Sequence, residues 1–135
     1  MGNLVEHSLG YFYMQEAASM IPPLCLELKE DDLVLDVSAA PGSKTTQIAS
    51  LMNNNGLIIA NDVKFERIKA LQINLQRLGI LNTIITLMNG NRIKGNFDKI
   101  LLDAPCSGTG AIRKSLDTLR IWNPNMNKKL SMIQK

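Results

Sequence analysis

The sequence predicts an α/β fold built around a parallel β-sheet. Short runs of aliphatic residues, which are typical of strands buried on both faces, alternate with segments of roughly 10–15 residues that show helical spacing. Asn53-Asn54-Asn55-Gly56 and Gly79 end two of the helical segments. The chain has 135 residues, which is enough for one such domain at ~100–200 residues per domain.

The predicted elements follow one another along the chain. The first is a helix over 15–26, where apolar side chains recur at helical spacing and Pro22-Pro23 either begin the helix or interrupt it. A helix over 64–78 is amphipathic, and Gly79 ends it. The other predicted elements are a helix over 44–52, strands over 33–37, 57–60, 83–87 and 99–103, and a loop over 89–96.

Polar side chains stand at or just after the ends of the predicted strands. Asp36, Asp62 and Asp103 are associated with three of the strands, and Asn89 is a candidate at the remaining one. Ligands of open parallel sheets bind at the carboxyl ends of the strands. We therefore expect these side chains to line a binding edge.

The turn after the first predicted strand, residues 38–43, contains only small residues and one proline. It lacks the glycines of a P-loop, although Lys44-Thr45 match the end of that motif, and the chain has no clear Gly-x-Gly-x-x-Gly dinucleotide motif. Such a turn allows close approach of a ligand without pyrophosphate. About twenty residues later, Asp62 is placed to accept hydrogen bonds from two ribose hydroxyls. The pattern predicts a nucleoside ligand such as S-adenosylmethionine; the alternative is that Asp62 only caps the next helix.

The composition excludes several classes of protein. With 45% hydrophobic and 20% charged residues, the chain is typical of a soluble globular protein. Two cysteines and one histidine are too few for a disulfide scaffold, a four-ligand metal site or a Ser-His-Asp relay, so we expect no metal. Cys25 lies in an apolar run and is predicted to be a small core residue. No apolar run approaches the ~20 residues of a membrane helix, which favours a cytoplasmic protein without membrane association.

Charge is divided unevenly along the chain, whose formal net charge is +3. Residues 1–63 contain two basic and eight acidic residues, whereas residues 64–135 contain thirteen basic and four acidic residues. A basic half indicates a polyanionic partner such as RNA, because Lys and Arg displace condensed counterions from phosphates. Solvated helix faces would explain the pattern equally well. Arg113 and Lys114 are the best candidates for contact with RNA phosphates.

Two motifs resemble those of a known family. The first is Ser-Ala-Ala-Pro-Gly-Ser-Lys-Thr-Thr at 38–46, and the second is Asp-Ala-Pro-Cys-Ser-Gly-Thr-Gly at 103–110. With similar stretches at 14–20 and 56–82, they resemble the Nol/Nop/Sun family of RNA cytosine-5 methyltransferases from about Tyr11 to the last residue. The resemblance implies a Rossmann-like methyltransferase fold with helices on both faces of the parallel sheet, truncated here after about four strands.

The resemblance also implies an S-adenosylmethionine site at the binding edge. Two positions depart from the family pattern, because Ser43 stands where a second glycine is usual and Asn89 where an aspartate is usual. An asparagine carbonyl can still accept a hydrogen bond from an adenine amino group, so cofactor binding would be weakened without being lost. The implied cofactor residues are Ser38, Ala39, Ala40, Pro41, Gly42, Ser43, Lys44, Asp62, Arg67, Asn89 and Asp103.

Methylation at C5 of cytosine needs a thiolate that adds to C6, a carboxyl group facing the base edge, and an unpaired or extruded base. Asp103, at a strand end, fits the carboxyl role, and Lys44 is a candidate to lower the pKa of a nearby thiol or to orient the base. The resemblance implies that Cys106 helps to break down the covalent adduct. In that family the attacking thiol comes from a later Thr-Cys-Ser motif, and no cysteine follows Cys106 in this chain.

We therefore expect residues 1–135 to be the N-terminal part of a catalytic domain, with an N-terminal segment and helix over 1–28, a cofactor-binding core over 33–110 and a basic tail over 111–135. The implied reaction is methyl transfer from S-adenosylmethionine to C5 of cytosine in tRNA or rRNA, a step in the processing of those RNAs. Two alternatives remain open. The chain could be a non-catalytic module that binds S-adenosylmethionine or RNA, or Cys106 itself could attack the base, as a Pro-Cys cysteine does in DNA cytosine-5 methyltransferases.

Overall fold

The structure, a computed structural model, describes residues 4–112 and 116–134. The chain forms two compact units, Met1–Asp103 and Ala104–Lys135. Arg113 and Lys114, predicted from the sequence to contact RNA, lie outside the described residues.

The first unit alternates helices and strands after two N-terminal helices. Its helices are α1 (Val5–Ser8), α2 (Ala17–Leu24), α3 (Ser43–Leu51) and α4 (Phe65–Arg77). Its strands are β1 (Leu33–Asp36), β2 (Leu57–Asp62), β3 (Thr83–Leu87) and β4 (Lys99–Leu101), and a short 3₁₀ turn covers Gly90–Arg92.

The four strands form one parallel sheet in the order β3-β2-β1-β4. In the β1–β2 ladder Val34 lies beside Ile58, and in the β1–β4 ladder it lies beside Lys99. β1, β2 and β3 are consecutive in the chain and adjacent in the sheet, and a single helix connects each of them to the next. The predicted parallel sheet of an α/β fold is confirmed.

Both apolar clusters of the first unit lie on the same face of the sheet. One cluster packs Val34 and Ile58 against Ile48 of α3 and Met52, the C-cap of α3, and all four side chains are fully buried. The second packs Ala60 of β2 against Leu71 and Leu75 of α4 and against the alanines of the turn after β1. Burying a large aliphatic side chain contributes about 1.5–3 kcal/mol, so α3 and α4 are held to the sheet chiefly by these clusters.

The opposite face of the sheet carries the alternate side chains of each strand, as the two-residue period of a strand requires. Ile84 of β3 is 51% exposed there, and Ile100 of β4 is 54% exposed. These two strands form the edges of the sheet among the described residues. On central strand β1, Leu35 of the same face is buried.

The second unit begins at Ala104, the second residue of the Asp-Ala-Pro-Cys motif. It contains two helices. A 3₁₀ turn at Thr109–Ala111 follows the left-handed Gly108, and Gln134 Nε2 donates to the Pro105 carbonyl (2.6 Å). The two helices are α5 (Asp117–Ile121) and α6 (Pro124–Gln134).

One sequence prediction about the core is wrong. Cys25 was expected to be a small core residue, but its side chain is exposed. The reason is local, because Cys25 is the C-cap of α2, where its N–H donates to the Ile21 carbonyl and the chain turns. Leu26 and Leu28 pack against the first apolar cluster instead.

Candidate functional site

The carboxyl ends of the strands bring the predicted polar residues to one edge of the sheet. Asp36 and Asp62 are the last residues of β1 and β2. Asn89 lies two residues after β3, and Asp103 lies two residues after β4. The strands are parallel, so these ends share one edge, as the sequence predicted.

The turn after β1 is held in place by contacts from β2 and α4. The Ala39 N–H donates to the Asn61 carbonyl (2.7 Å). The Arg67 guanidinium donates to the Ala40 carbonyl, and Asn74 Nδ2 donates to the Pro41 carbonyl (2.9 Å). The backbone of this turn is therefore fixed before any ligand arrives.

Gly42 ends the turn in a conformation that only glycine adopts readily. Its φ is +109°, in the left-handed region, and it is the N-cap of α3. A Cβ placed there would lie 3.0 Å from Leu71 Cδ1. Ala39 and Ala40 are 5% and 3% exposed, so the small residues let the turn lie close to α4.

Asp36 is a buried carboxyl group beneath this turn. Thr45 Oγ1 donates to its Oδ2 (2.7 Å), and the side chain is almost fully buried. Burial raises the pKa of Asp36 to about 6, although hydrogen bonds from Thr45 and Ser38 and the nearby Lys44 charge lower it, while the Asp103 charge raises it further. Asp36 therefore changes charge close to neutral pH.

This shift predicts an unusual dependence of stability on pH. The folded-state pKa of Asp36 lies above its ordinary value of 3.8, so the folded state binds the proton more tightly than the unfolded state. The contribution of Asp36 to the free energy of unfolding is therefore least favourable above about pH 6. It becomes more favourable as the pH falls toward 4, by at most about 3 kcal/mol. We expect Asp36→Asn to remove this gain. Urea unfolding at about pH 5 and about pH 7.5 would measure it.

The exposed Asp31 provides the control for that measurement. Asp31→Asn should leave the pH dependence of the free energy of unfolding unchanged. If Asp36→Asn and the unmodified chain gained equally between the two pH values, Asp36 would not be protonated preferentially in the folded state.

The two carboxyl oxygens of Asp62 have different partners. Its Oδ1 accepts the Lys64 N–H (3.0 Å), but Lys64 is itself the N-cap of α4 and that helix has no side-chain cap, so this bond is not the helix cap of the alternative interpretation. Its Oδ2 lies 3.0 Å from Arg67 Nη1, yet it has no hydrogen-bond partner among the described residues although it is buried. Buried polar oxygens are nearly always hydrogen-bonded, so this atom is a candidate ligand contact.

Lys44 and Asp103 come together although 59 residues separate them. Lys44 Nζ donates to Asp103 Oδ2 (2.6 Å). The Lys44 side chain is 14% exposed and that of Asp103 is 58% exposed. The pair therefore places a carboxylate at the solvent side of the edge, with an ammonium group fixed behind it.

The remaining predicted site residues are arranged differently. Asn89 is exposed, and its side-chain oxygen accepts the Asn91 N–H (3.4 Å) at the start of the 3₁₀ turn. Ser43 lines a cavity of about 400 Å³ together with Tyr13 and Gln47. Cys106 belongs to the second unit and is exposed.

Two residues of the edge were missed by sequence reasoning. Thr45 was noted only in the P-loop comparison and within the 38–46 motif, and its hydrogen bond to Asp36 was not predicted. Asn61 was given no role by the sequence analysis, but it is fully buried and makes four side-chain hydrogen bonds. A polar residue directly before Asp62 in an apolar strand was the available signal.

Neither a metal-binding group nor a membrane-spanning helix occurs among the described residues, 4–112 and 116–134. No three histidine, cysteine or acidic side chains there are grouped so that they could hold a metal ion. None of the helices in that part of the chain is long and apolar enough to cross a membrane.

A parallel sheet in this order, with a fixed small-residue turn after β1 and a buried acidic group at the end of β2, defines a Rossmann-like fold of the methyltransferase type. The chain belongs to the 16S rRNA methyltransferase RsmB/F family, whose sequence profile matches residues 23–135. This family is of the Sun/Nop type. The predicted resemblance is therefore confirmed.

Curated relatives are similar over the full chain. The "Ribosomal RNA small subunit methyltransferase F" of Shewanella halifaxensis is 47% identical over 150 residues, which are 100% of this chain and 31% of the relative. The protein of that name from Aeromonas hydrophila is 46% identical over 143 residues, which are 100% of this chain and 30% of the relative. The chain thus spans about a third of the length of these relatives.

A solved structure agrees with the fold. The crystal structure of NSun6 from Pyrococcus horikoshii with SFG, an S-adenosylmethionine analogue, has a TM-score of 0.77 and 42% sequence identity. The match covers 80% of this chain and 29% of that one.

Proposed function

We propose that the protein containing this chain transfers a methyl group from S-adenosylmethionine to C5 of a cytosine in small-subunit rRNA. The observation that carries the proposal is the buried Asp62 Oδ2 at the end of β2, which faces the Arg67 guanidinium but makes no hydrogen bond among the described residues, next to a fixed turn of small residues. The names of the relatives support rRNA as the substrate. tRNA is the second candidate substrate.

The residues at the edge fit S-adenosylmethionine. Asp62 offers a carboxylate to ribose hydroxyls, and the Arg67 guanidinium that faces this carboxylate also donates to the Ala40 carbonyl of the fixed turn. The bound cofactor would supply an electrophilic methyl group on a positively charged sulfur. The residues proposed to hold it are Ser38, Ala39, Ala40, Pro41, Gly42, Ser43, Lys44, Asp62, Arg67, Asn89 and Asp103.

The Lys44–Asp103 pair supports the base chemistry. Asp103 is half-exposed at the strand edge, so its carboxyl group is available to hold a proton at N3 of the cytosine. Lys44 Nζ keeps that carboxyl group in one position through its 2.6 Å hydrogen bond. This hydrogen bond reduces the rotational freedom of the carboxylate before the base arrives.

Cys106 is proposed to act in the last step of the reaction. After a thiolate has added to C6 and C5 has gained the methyl group, the C5 proton must leave and the C6–S bond must break. We assign assistance in this breakdown to Cys106, and contact with RNA phosphates to Arg113 and Lys114. The proposed location is the cytoplasm, where rRNA is available.

The experiment uses a chimera in which this chain replaces the matching segment of the Aeromonas hydrophila relative. With small-subunit rRNA, we expect Cys106→Ala to accumulate a covalent protein–RNA adduct visible on a denaturing gel, because breakdown is blocked after attack. The unmodified chimera should show an adduct only with RNA containing 5-fluorocytosine, since fluorine at C5 cannot leave as a proton.

Cys25→Ala is the matched control, because Cys25 is also an exposed cysteine but lies at the end of α2. It should behave like the unmodified chimera. Loss of the 5-fluorocytosine adduct in Cys106→Ala would show instead that Cys106 is the attacking thiol. Absence of both adduct and methyl transfer in the unmodified chimera would favour the non-catalytic module.

A further inference from the structure

Asn61 occupies an unusual position for an asparagine. It lies inside β2, directly before Asp62, and its side chain is fully buried. Asparagine is depleted in strands because it competes for backbone hydrogen bonds. A buried asparagine at the end of a central strand therefore needs a specific set of partners.

The Asn61 side chain uses all of its hydrogen-bonding capacity. Its Nδ2 donates to the Val37 carbonyl (3.1 Å) and to the Met88 carbonyl (3.0 Å). Its Oδ1 accepts from Thr86 Oγ1 (3.0 Å) and from the Met88 N–H (3.1 Å). Two donors and two acceptors are what one primary amide offers.

These partners connect the segments that carry the candidate site. Val37 is the first residue after β1, and Met88 is the first residue after β3. The Asn61 carbonyl also accepts the Ala39 N–H (2.7 Å). One residue thus links the turn after β1, the segment that leads to Asn89, and the strand that ends in Asp62.

We propose that Asn61 is a positioning residue for the nucleoside site, which fixes the distance between the ribose-binding carboxylate of Asp62 and the two segments on either side of it. This inference rests on the proposed function, because it concerns the same site. Aspartate has the same shape but lacks the two donors, and leucine lacks all four groups. A site that must be set before binding depends on such orienting contacts.

Asn82 provides a matched comparison within the chain. It is also a buried asparagine whose Nδ2 donates to a backbone carbonyl, that of Asn55 (2.5 Å). Asn82 lies directly before β3, where the parallel strands begin, whereas Asp62 lies where they end. Both asparagines are buried and donate to a backbone carbonyl, but Asn82 Oδ1 has no hydrogen-bond partner among the described residues, and only Asn61 borders the candidate site.

The test measures the dissociation constant of S-adenosylhomocysteine by calorimetry, at a temperature where each variant retains its native near-ultraviolet circular dichroism. We expect Asn61→Asp to raise the dissociation constant about tenfold or more, as loss of residues that orient binding groups does at other sites. Asn82→Asp should lower the melting temperature but leave the dissociation constant within about twofold.

A milder variant keeps the test decisive if Asn61→Asp does not fold. Thr86→Val removes one donor to Asn61 and preserves the shape of the side chain, and we expect it to raise the dissociation constant about threefold. A purely structural role for Asn61 would lower the melting temperature without changing the affinity of the folded protein.

The outcomes separate the two proposals. If the unmodified chain does not bind S-adenosylhomocysteine, the proposed cofactor site fails, and the positioning role fails with it. If the unmodified chain binds and the folded Asn61→Asp and Thr86→Val variants bind equally well, only the positioning role is overturned. Equal losses for the Asn61 and Asn82 variants would overturn it as well.

Discussion

Replacement of Asp103 by asparagine is expected to reduce methyl transfer about 10³-fold, within the range attributed to a positioned acid or base. An asparagine amide keeps the size of the side chain and can donate a hydrogen bond, but it cannot exchange a proton with N3 of the base. It also leaves the Lys44 ammonium without the carboxylate that lies 2.6 Å away. The measurement is a single-turnover methyl-transfer rate in the chimera described above.

The control for Asp103 is Asp117→Asn. Asp117 is likewise exposed and paired with a basic residue, Arg120, at 3.8 Å. Its replacement should change the single-turnover rate less than about threefold. A rate for Asp103→Asn close to that of Asp117→Asn would remove Asp103 from the proposed chemistry.

Replacement of Asp62 by asparagine is expected to weaken binding of S-adenosylhomocysteine to the chain about 100-fold. Hydrogen bonds to a charged acceptor contribute ~1.5–3 kcal/mol each, and ~1.4 kcal/mol corresponds to tenfold in affinity. The substitution keeps an oxygen for the Lys64 N–H but removes the negative charge that faces Arg67 and that is proposed to accept from the ribose hydroxyls. Calorimetry gives the dissociation constant directly.

The source of that effect can be isolated with a second ligand. An S-adenosylhomocysteine analogue without the two ribose hydroxyls should bind the unmodified chain and Asp62→Asn about equally. Glu66→Gln, which removes an exposed carboxylate paired with Lys69, should leave both affinities unchanged. Equal losses of both ligands in Asp62→Asn would mean that the carboxylate acts on the turn and not on the ribose.

The strands were predicted well because their aliphatic runs carry a strong signal. β3 has the bounds that the sequence predicted, 83–87. The aliphatic run of β2 was predicted over 57–60 with Asn61 and Asp62 at its end, and both residues belong to the strand because they still pair with Thr86 and Leu87. Local propensity disfavours asparagine and aspartate in strands, so only the three-dimensional partners explain the extension.

Other boundaries depend on neighbours in the same way. The fourth strand was predicted over 99–103, but it ends at Leu101 because its partner β1 ends at Asp36. The predicted helices at 15–26, 44–52 and 64–78 were each within two residues of α2, α3 and α4 at either end. Helix ends usually shift by one or two residues with capping and packing.

Only part of the candidate site could likewise be predicted from the sequence. That Asp36, Asp62 and Asp103 share one edge follows from parallel strands, and sequence reasoning reached it. The hydrogen bond between Thr45 and Asp36, and the ion pair between Lys44 and Asp103, depend on how α3 is set over the sheet. The four partners of Asn61 lie on two other segments of the chain, so no local pattern in the sequence contains them.

The strand order also sets an order of events in folding. β1, β2 and β3 are joined by single helices, so their ladders close short loops, whereas β4 reaches β1 only after the chain has passed through both other strands. Closing a longer loop costs more entropy, and non-local pairing is slower. During synthesis, we expect Asp36 and Asp62 to be brought together before Asp103 joins them, so the part of the candidate site at β1 and β2 forms before the part at β4.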